Sequence, residues 1–322
     1  MEQIINKFVS DEIKLLFIPG LTAFIISYLG TIYVIKLAKK WGLVDDPKKH
    51  KHPKVIHTYP VPRGGGLAIF LAVLFAASIY LPFDKHLRGI ILGAFILTIL
   101  GLLDDKYNAQ GRDISPYLRF FIIILAAGII VAGGISIRFI TNPFGEGVLA
   151  FPPLIDGLLS IIWLVWIMNM LNWSKGVDGQ MPGIVAISAL VIGILSITLN
   201  LQGTIAIDAI LSFIIAGSAL GFLLFNFYPA KIFPGWSATS LYLLLGVVAM
   251  LSSTKLATAI LVMGVPTVDA LFTIARRLLA KRSPFKGDNK HLHHLFLQMG
   301  FGQRRIALFY WAFSAILGVL AL

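Results

Sequence analysis

Long apolar runs alternate with short polar connections along the whole chain. Each run covers about 15–24 residues, the length with which an α-helix crosses roughly 30 Å of hydrocarbon while satisfying its own backbone hydrogen bonds. The pattern therefore predicts an all-α, polytopic membrane protein of about ten transmembrane helices. The predicted spans are 15–38, 64–81, 88–103, 117–137, 154–170, 183–200, 205–226, 237–251, 256–275 and 304–322.

Composition agrees with this prediction. Of the 322 residues, 57% are hydrophobic and only 13% are charged, too few polar groups to cover a soluble globule. No repeat period occurs, and no polar stretch is long enough to bury its own core. The first apolar run is too long for a signal-peptide core, so we expect it to remain as a helix. We therefore expect one membrane domain over 1–322, without disulfides or thiolate metal sites, since cysteine is absent.

The positive charges predict an orientation. The net charge is +12, and most of the 27 Lys and Arg residues fall in connections that follow the odd-numbered predicted spans. By the positive-inside rule these connections are cytoplasmic, which places both termini outside. Basic residues beside anionic headgroups are favourable by about 1 kcal/mol each, and no nucleic-acid recognition motif accompanies them. We therefore expect the lipid bilayer, and no nucleic acid, as the partner of this charge.

The side chains capable of chemistry concentrate on the same predicted side. Polar groups at membrane depth are costly and tend to be functional, and here they cluster where spans end. We therefore expect a cleft on the cytoplasmic face. The clustered residues are Asp104, Asp105, Asn169, Asn172, Asp178, Asn226, His291, His293 and His294.

The stretch "GLLDDKYNAQGR" ends the third predicted span. Adjacent helical residues diverge by about 100°. Asp104 and Asp105 can therefore present one carboxylate to a central cleft and the other to a neighbouring loop. Vicinal carboxylates suit a hydrated Mg²⁺ held between protein and a diphosphate. The alternative is a solvated helix end, although carboxylates at a helix C-terminus oppose the helix dipole.

The stretch "NMLNWSKGVDGQMPG" follows the fifth predicted span. It places Asn169 and Asn172 on one helix face, and glycines flank a bend at Asp178. Glycines permit close approach of backbone N–H groups to phosphate oxygens. A plain turn between helices is the alternative, but turns seldom need two Asn, an Asp and a Lys together.

The stretch "GDNKHLHHLF" resembles a helix start. Asp288 could cap the helix, with His291 and His294 on one face and His293 beside them. The basic surroundings favour phosphate binding at this end. A zinc site and a solvated surface are the alternatives, and the absence of an HExxH pattern argues against zinc.

The stretch "KVIHTYPVPRGGG" leads into the second predicted span. Arg63 could clamp a phosphate with two parallel hydrogen bonds, with His57 nearby. The alternative is a positive anchor at the membrane interface.

Taken together, these motifs resemble those of the polyprenyl-phosphate N-acetylhexosamine-1-phosphate transferases, glycosyltransferase family 4. The resemblance is carried in order by "VPRGGGLAI", "GLLDDKYN", "NMLNW", "GVDG", "FNFYPAKIF", "LVMGVPTVDALFTIARRLLAKRSPF" and "HLHHLFLQMGFGQRR". The tail "RRLLAKRSPF" followed by "HLHH" is most similar to the undecaprenyl-phosphate N-acetylglucosaminyl-1-phosphate branch.

The resemblance implies a reaction at the prokaryotic plasma membrane, for cell-envelope polysaccharide synthesis. Polyprenyl phosphate attacks the sugar-attached phosphorus of a UDP-N-acetylhexosamine, Mg²⁺ bridges the diphosphate, and the products are a lipid diphosphate-sugar and UMP. It leaves a homodimer open as the assembly state.

The resemblance also implies roles for individual residues. The catalytic set is Asp104, Asp105, Asp178, His293 and His294, with Asp105 and Asp178 as the Mg²⁺ ligands. The substrate-binding set is His57, Arg63, Asn169, Asn172, Lys175, Trp236 and His291.

Two positions depart from the family pattern. Lys175 stands where the family has an Asp, and Trp236 stands where it has an Asp that helps to hold Mg²⁺. Lys175 could supply a point positive charge in place of a metal, and Trp236 could stack on uracil or sugar. We expect a Lys175 ammonium within salt-bridge range of Asp104 and Asp105 in that case, and one pointing into solvent if activity has been lost.

Two other functions therefore stay open. One is a catalytically inactive or metal-independent paralogue that binds lipid phosphate or nucleotide-sugar. The other is a transporter, for which Pro266 and Asp269 in the ninth span would be the sign of a broken helix. The missing repeat and the one-sided polar cluster argue against transport.

Overall fold

A computed structural model describes residues 2–48, 56–112, 114–142, 145–198, 207–251, 254–283 and 290–322. The described chain is mostly helical. Its helices are α1 Glu2–Lys40, α2 Gly66–Tyr80, α3 Lys85–Ala109, α4 Pro116–Ala132, α5 Pro153–Trp173, α6 Gln180–Thr198, α7 Ile207–Asn226, α8 Thr239–Met250, α9 Thr254–Val262, α10 Gly264–Leu279, α11 Leu292–Gln298 and α12 Gln303–Ala321. Two short antiparallel hairpins pair β1 Val44–Asp45 with β2 Val61–Pro62, and β3 Phe139–Thr141 with β4 Val148–Ala150.

The helices confirm a multi-pass membrane protein. Within the described ranges, six helices are long and apolar enough to cross a bilayer: α1, α3, α5, α6, α7 and α12. Three further predicted spans coincide with the shorter apolar helices α2, α4 and α8. The total of ten crossings stays a prediction, because these three helices are below the usual spanning length.

The ninth predicted span is divided into two helices. Residues 256–275 are predicted as one span that contains Pro266, and α9 and α10 meet within it at an angle of 82°. Met263 caps the second helix, and Gly264 and Pro266 follow in its first turn. Proline lacks a backbone N–H donor and fits most readily in the first turn of a helix, where that donor would be unpaired. Pro266, named above as the sign of a broken helix, lies at this break.

Helix α8 lies at the centre of the bundle. All twelve of its residues are buried, and it contacts α2, α3, α5, α6, α7 and α9. A helix that is apolar all round is expected in such an interior position. The outer helices instead leave large apolar side chains exposed, for example Phe17, Phe121 and Leu154. These outer faces suit contact with lipid.

The connection before α8 is wedged between α2 and α3, and we call it the 227–238 segment. Gly65 and Gly66 donate backbone hydrogen bonds to the carbonyl oxygens of Phe233 and Pro234. A β-carbon on Gly66 would overlap the backbone of Ser237. Glycine is therefore required where the two backbones meet, and the run of three glycines serves to seat this segment.

Candidate active site

A central cleft of about 590 Å³ opens where several helices end. Its walls come from the chain around β1 and β2, the ends of α3, α5 and α7, the 227–238 segment, α10 and α11. Eleven of the twelve predicted site residues line it: His57, Arg63, Asp104, Asn169, Asn172, Lys175, Asp178, Trp236, His291, His293 and His294. The structure therefore brings them together, while their chemical roles stay predictions.

The twelfth residue, Asp105, lies behind the cleft wall and is fully buried. Its Oδ1 accepts a hydrogen bond of 2.7 Å from the backbone N–H of Trp236. Its Oδ2 accepts bonds from the backbone N–H and the hydroxyl of Ser237, at 3.2 and 2.8 Å. Asp105 therefore anchors the 227–238 segment to α3.

Asp104 turns the other way and lines the cleft. Its Oδ1 accepts a 2.6 Å hydrogen bond from Nε of Arg119 in the first turn of α4. The expectation that adjacent aspartates divide between cleft and loop is confirmed by this geometry. Arg63 lies nearby, and its Nη1 donates to Asp45 Oδ2 at 2.6 Å and to Asn108 Oδ1 at 2.7 Å.

Lys175 reaches into the cleft from the turn after α5. Its Nζ donates to Asn172 Oδ1 at 2.7 Å and to the backbone oxygen of Gly235 at 2.8 Å. Both acceptors are neutral. The expected salt bridge to the aspartate pair is therefore not what holds the ammonium, and the ammonium does not point away into solvent either.

The surroundings of Lys175 disfavour its charge. Burial lowers the pKa of its ammonium to about 7, the nearby Asp105 carboxylate opposes this shift, and the Arg63 guanidinium adds to it. More weakly, the Asp104 carboxylate raises this pKa and the Arg119 guanidinium lowers it. In the folded protein Lys175 is therefore poised to lose its proton near neutral pH.

This pKa predicts a pH-dependent effect of Lys175→Met on stability. In the unfolded chain the ammonium titrates near 10.5, so between about pH 7 and 10.5 the unfolded state binds more protons than the folded state. The destabilising contribution of Lys175 is thus full below pH 7 and is relieved as pH rises. Tm in detergent should rise from pH 6.5 to pH 9 for wild type relative to Lys175→Met. Lys231 is exposed, so the Tm of Lys231→Met should change with pH as that of wild type does. If the Tm of Lys175→Met also changes with pH as that of wild type does, the assigned burial of Lys175 is contradicted.

Asp178 ties the same turn to the 227–238 segment. Its Oδ2 accepts a 2.9 Å hydrogen bond from the backbone N–H of Ala230, and burial raises the pKa of its carboxyl. The next residue, Gly179, donates its N–H to Asn226 Oδ1, and Asn226 donates to the carbonyl oxygen of Ile232. The two loops are therefore held together at the cleft floor.

The histidines come from a short helix docked on α10. Helix α11 begins at Leu292, with His291 as its N-cap residue; the cap predicted at Asp288 lies outside the described residues. Asp269 of α10 accepts hydrogen bonds from His291 Nδ1 at 2.9 Å and from the backbone N–H of Leu292 at 2.8 Å. His291 therefore precedes the helix as its N-cap, and it lines the cleft together with His293 and His294.

His293 is the most enclosed of the three histidines. Its ring packs between the rings of His291 and His294, with centroids 5.7 and 4.3 Å away. Burial, and then the neighbouring His294, lower its pKa well below the ordinary value. The ring also lies directly against Gly176, where a β-carbon would overlap it. His293 is therefore a neutral imidazole fixed against the turn that carries Lys175.

The remaining predicted residues make packing contacts or local hydrogen bonds. His57 packs edge-on against Phe233, with ring centroids 5.1 Å apart. Asn169 donates its side-chain N–H to the carbonyl oxygen of Val165 on its own helix. Trp236 is only 7% exposed and belongs to the apolar core as much as to the cleft. Its stacking on a ligand stays a prediction.

Sequence reasoning missed several cleft residues. Asp45, Asn108, Arg119 and Arg277 all line the cleft, and Asp269 supports it from behind. Asp269 carried a usable signal, since a carboxylate inside an apolar span is costly without a partner. The others lie near span ends, where polar residues are common and single positions do not stand out.

The oxygen atoms that the cleft offers as ligands do not fit a bound magnesium ion. Mg²⁺ needs oxygen ligands in near-octahedral geometry, usually one or two carboxylates completed by substrate phosphates and water. Of the two predicted ligands, Asp105 lies behind the cleft wall and accepts three hydrogen bonds, and Asp178 accepts one from the backbone N–H of Ala230. The neighbouring Asp104 is engaged by Arg119. Among the described residues, no group of three His, Cys, Asp or Glu could hold a metal ion. The Mg²⁺ implied by the resemblance stays untested.

Comparisons with known proteins agree with the resemblance. The sequence model described as glycosyl transferase family 4 matches residues 87–263. The chain is 33% identical to the probable undecaprenyl-phosphate N-acetylglucosaminyl 1-phosphate transferase of Bacillus subtilis (strain 168), over 93% of this chain and 83% of that protein. It is 32% identical to the decaprenyl-phosphate N-acetylglucosaminephosphotransferase of Mycolicibacterium smegmatis, over 92% and 79%. It is 27% identical to the undecaprenyl-phosphate alpha-N-acetylglucosaminyl 1-phosphate transferase of Escherichia coli (strain K12), over 94% and 82%.

Proposed function

We propose, because this chain belongs to glycosyl transferase family 4, that it transfers N-acetylhexosamine 1-phosphate from a UDP-sugar to undecaprenyl or another polyprenyl phosphate. The chain is a membrane transferase, and its relatives act on polyprenyl phosphates. The observation that carries the proposal is one cleft at the ends of apolar helices. Eleven of the twelve site residues predicted from the sequence line it.

The proposed reaction is a displacement at phosphorus. An oxygen of the lipid phosphate forms a bond to the phosphorus that carries the sugar, and the bond from that phosphorus to the bridging oxygen of the donor breaks. UMP leaves with the bridging oxygen, and the lipid diphosphate-sugar remains in the membrane. The lipid phosphate is already an anion, so the protein has mainly to position the two anions and stabilise the spread charge.

The cleft residues suit that task. Arg63 and Arg119 are each held by a carboxylate at 2.6 Å, which orients their remaining N–H groups, and Lys175 adds an ammonium group to the same cleft. We assign these three side chains to the phosphates. Neutral His293 can donate or accept a hydrogen bond without adding charge, and we assign it with His294 to the reacting phosphate or its sugar.

We also propose that the cleft faces the cytoplasm of a prokaryotic cell, in the plasma membrane, with ten crossings and both termini outside. The support is the clustering of Lys and Arg in the connections that line the cleft side, together with bacterial relatives. The donor and the lipid would then be drawn from the same side of the membrane. Reaction in one step needs that arrangement.

Transfer by the purified protein tests the proposal. Protein in detergent, given polyprenyl phosphate and UDP-N-acetylglucosamine or UDP-N-acetylgalactosamine, should yield a lipid diphosphate-sugar by mass spectrometry and one UMP per product. UMP release should depend on the lipid. Absence of product with every UDP-sugar, at several pH values and with or without divalent ions, would refute it.

A further inference from the structure

The aspartates around the cleft are already engaged within the protein. Each carboxylate accepts a hydrogen bond from an arginine, or from a backbone N–H or hydroxyl group. None of them therefore presents two free oxygens to the cleft centre. The contacts are Asp45 with Arg63, Asp104 with Arg119, Asp105 with Trp236 and Ser237, and Asp178 with Ala230.

Lys175 differs from these pairs. Its two hydrogen-bond partners, Asn172 Oδ1 and the Gly235 carbonyl oxygen, position the ammonium at 2.7 and 2.8 Å without neutralising it. The side chain lines the cleft, so an anion that enters can approach the ammonium and favour its protonated form. A compact ammonium has three donors and makes few demands on ligand geometry.

The positive groups of the cleft disfavour the binding of a divalent cation. It would need to sit in the cleft beside the Lys175 ammonium and the Arg63 and Arg119 guanidinium groups. Like charges a few ångströms apart repel strongly in a partly dehydrated site. An anionic diphosphate meets the opposite situation, since the same three groups attract it.

We propose that this cleft binds the diphosphate of its donor without a divalent cation, and that Lys175 supplies the positive charge that a metal ion would otherwise bring. The inference rests on the proposed function, because it concerns how the same donor is held. It also gives a reason for a lysine in a turn otherwise built from Asn, Asp and Gly: Asn172 and the backbone of Gly235 form a neutral cradle for it.

Binding of UDP measured by calorimetry tests the inference without turnover. Wild-type protein should bind UDP in EDTA with an affinity within about threefold of that in excess MgCl₂. Lys175→Met should weaken binding in EDTA by about tenfold or more, because one unit charge is lost from a partly dehydrated site. Lys231→Met removes a lysine that is exposed and does not line the cleft, and should leave the affinity unchanged.

The outcomes separate this inference from the proposed function. Wild-type binding that is lost in EDTA and restored by Mg²⁺ overturns the inference and leaves sugar-phosphate transfer standing. Lys175→Met that binds UDP as tightly as Lys231→Met, with both proteins folded by Tm, also overturns it. Failure of wild type to bind UDP under either condition overturns the inference together with a UDP-dependent function.

Discussion

Asp105→Asn is expected to lower the rate of transfer by about a hundredfold or more, although Asp105 does not line the cleft. The carboxylate accepts hydrogen bonds from Trp236 and Ser237 with both oxygens. In either orientation the NH₂ group of the new amide would face a backbone N–H, that of Trp236 or that of Ser237, and two facing donors cannot pair. The 227–238 segment would shift, and the Gly235 oxygen that holds Lys175 would move with it.

The matched control for this substitution is Asp84→Asn at the opposite end of α3. Asp84 caps the helix through the backbone N–H of Leu87, and Asn is an equally good cap. It should keep wild-type activity and Tm. Wild-type turnover in folded Asp105→Asn would show that the anchor of the 227–238 segment does not control the site.

Gly176→Ala is expected to reduce transfer by about a hundredfold at little cost in folding. The backbone at this position needs no positive φ, so alanine brings no conformational strain. Its β-carbon would instead overlap the ring of His293, which must move away from the turn. The loss should not add to that of His293→Ala, because both substitutions remove the same imidazole from its place.

Gly128→Ala in α4 provides the control for adding one methyl group. A β-carbon there meets no atom within 4 Å, so activity should be unchanged and Tm should stay equal or rise slightly. Activity assays on both variants, alongside Tm in detergent, separate the two effects. Full activity in Gly176→Ala would mean that the position of His293 is not important for transfer.

The sequence predicted that the polar site residues lie close together in the fold. Apolar spans force their ends to one side or the other of the membrane, so Asp104, Asn172 and Asp178 had to lie at the same level. Once the spans pack together, residues at that level meet. The divergence of adjacent helical side chains also predicted that Asp104 and Asp105 would separate.

The partners of these residues were not predictable in the same way. The contact of Asp105 with Ser237 joins positions more than a hundred residues apart, and no local pattern encodes it. The Asp269 to His291 contact depends on the 82° angle between α9 and α10, and neither the apolar pattern nor Pro266 predicts that angle. Lys175 stood out in its turn and as a departure from the family pattern, but its two neutral hydrogen-bond partners could be identified only from the structure.

The fate of the donor's two phosphorus atoms tests the central claim most directly. Purified protein is given polyprenyl phosphate and a UDP-N-acetylhexosamine labelled with ³²P at the sugar-attached phosphorus. Displacement at that phosphorus predicts that the label enters the lipid fraction as a diphosphate-sugar while the released UMP is unlabelled. Label that stays water-soluble in UDP, with unlabelled sugar on the lipid, would contradict the proposed chemistry of this cleft.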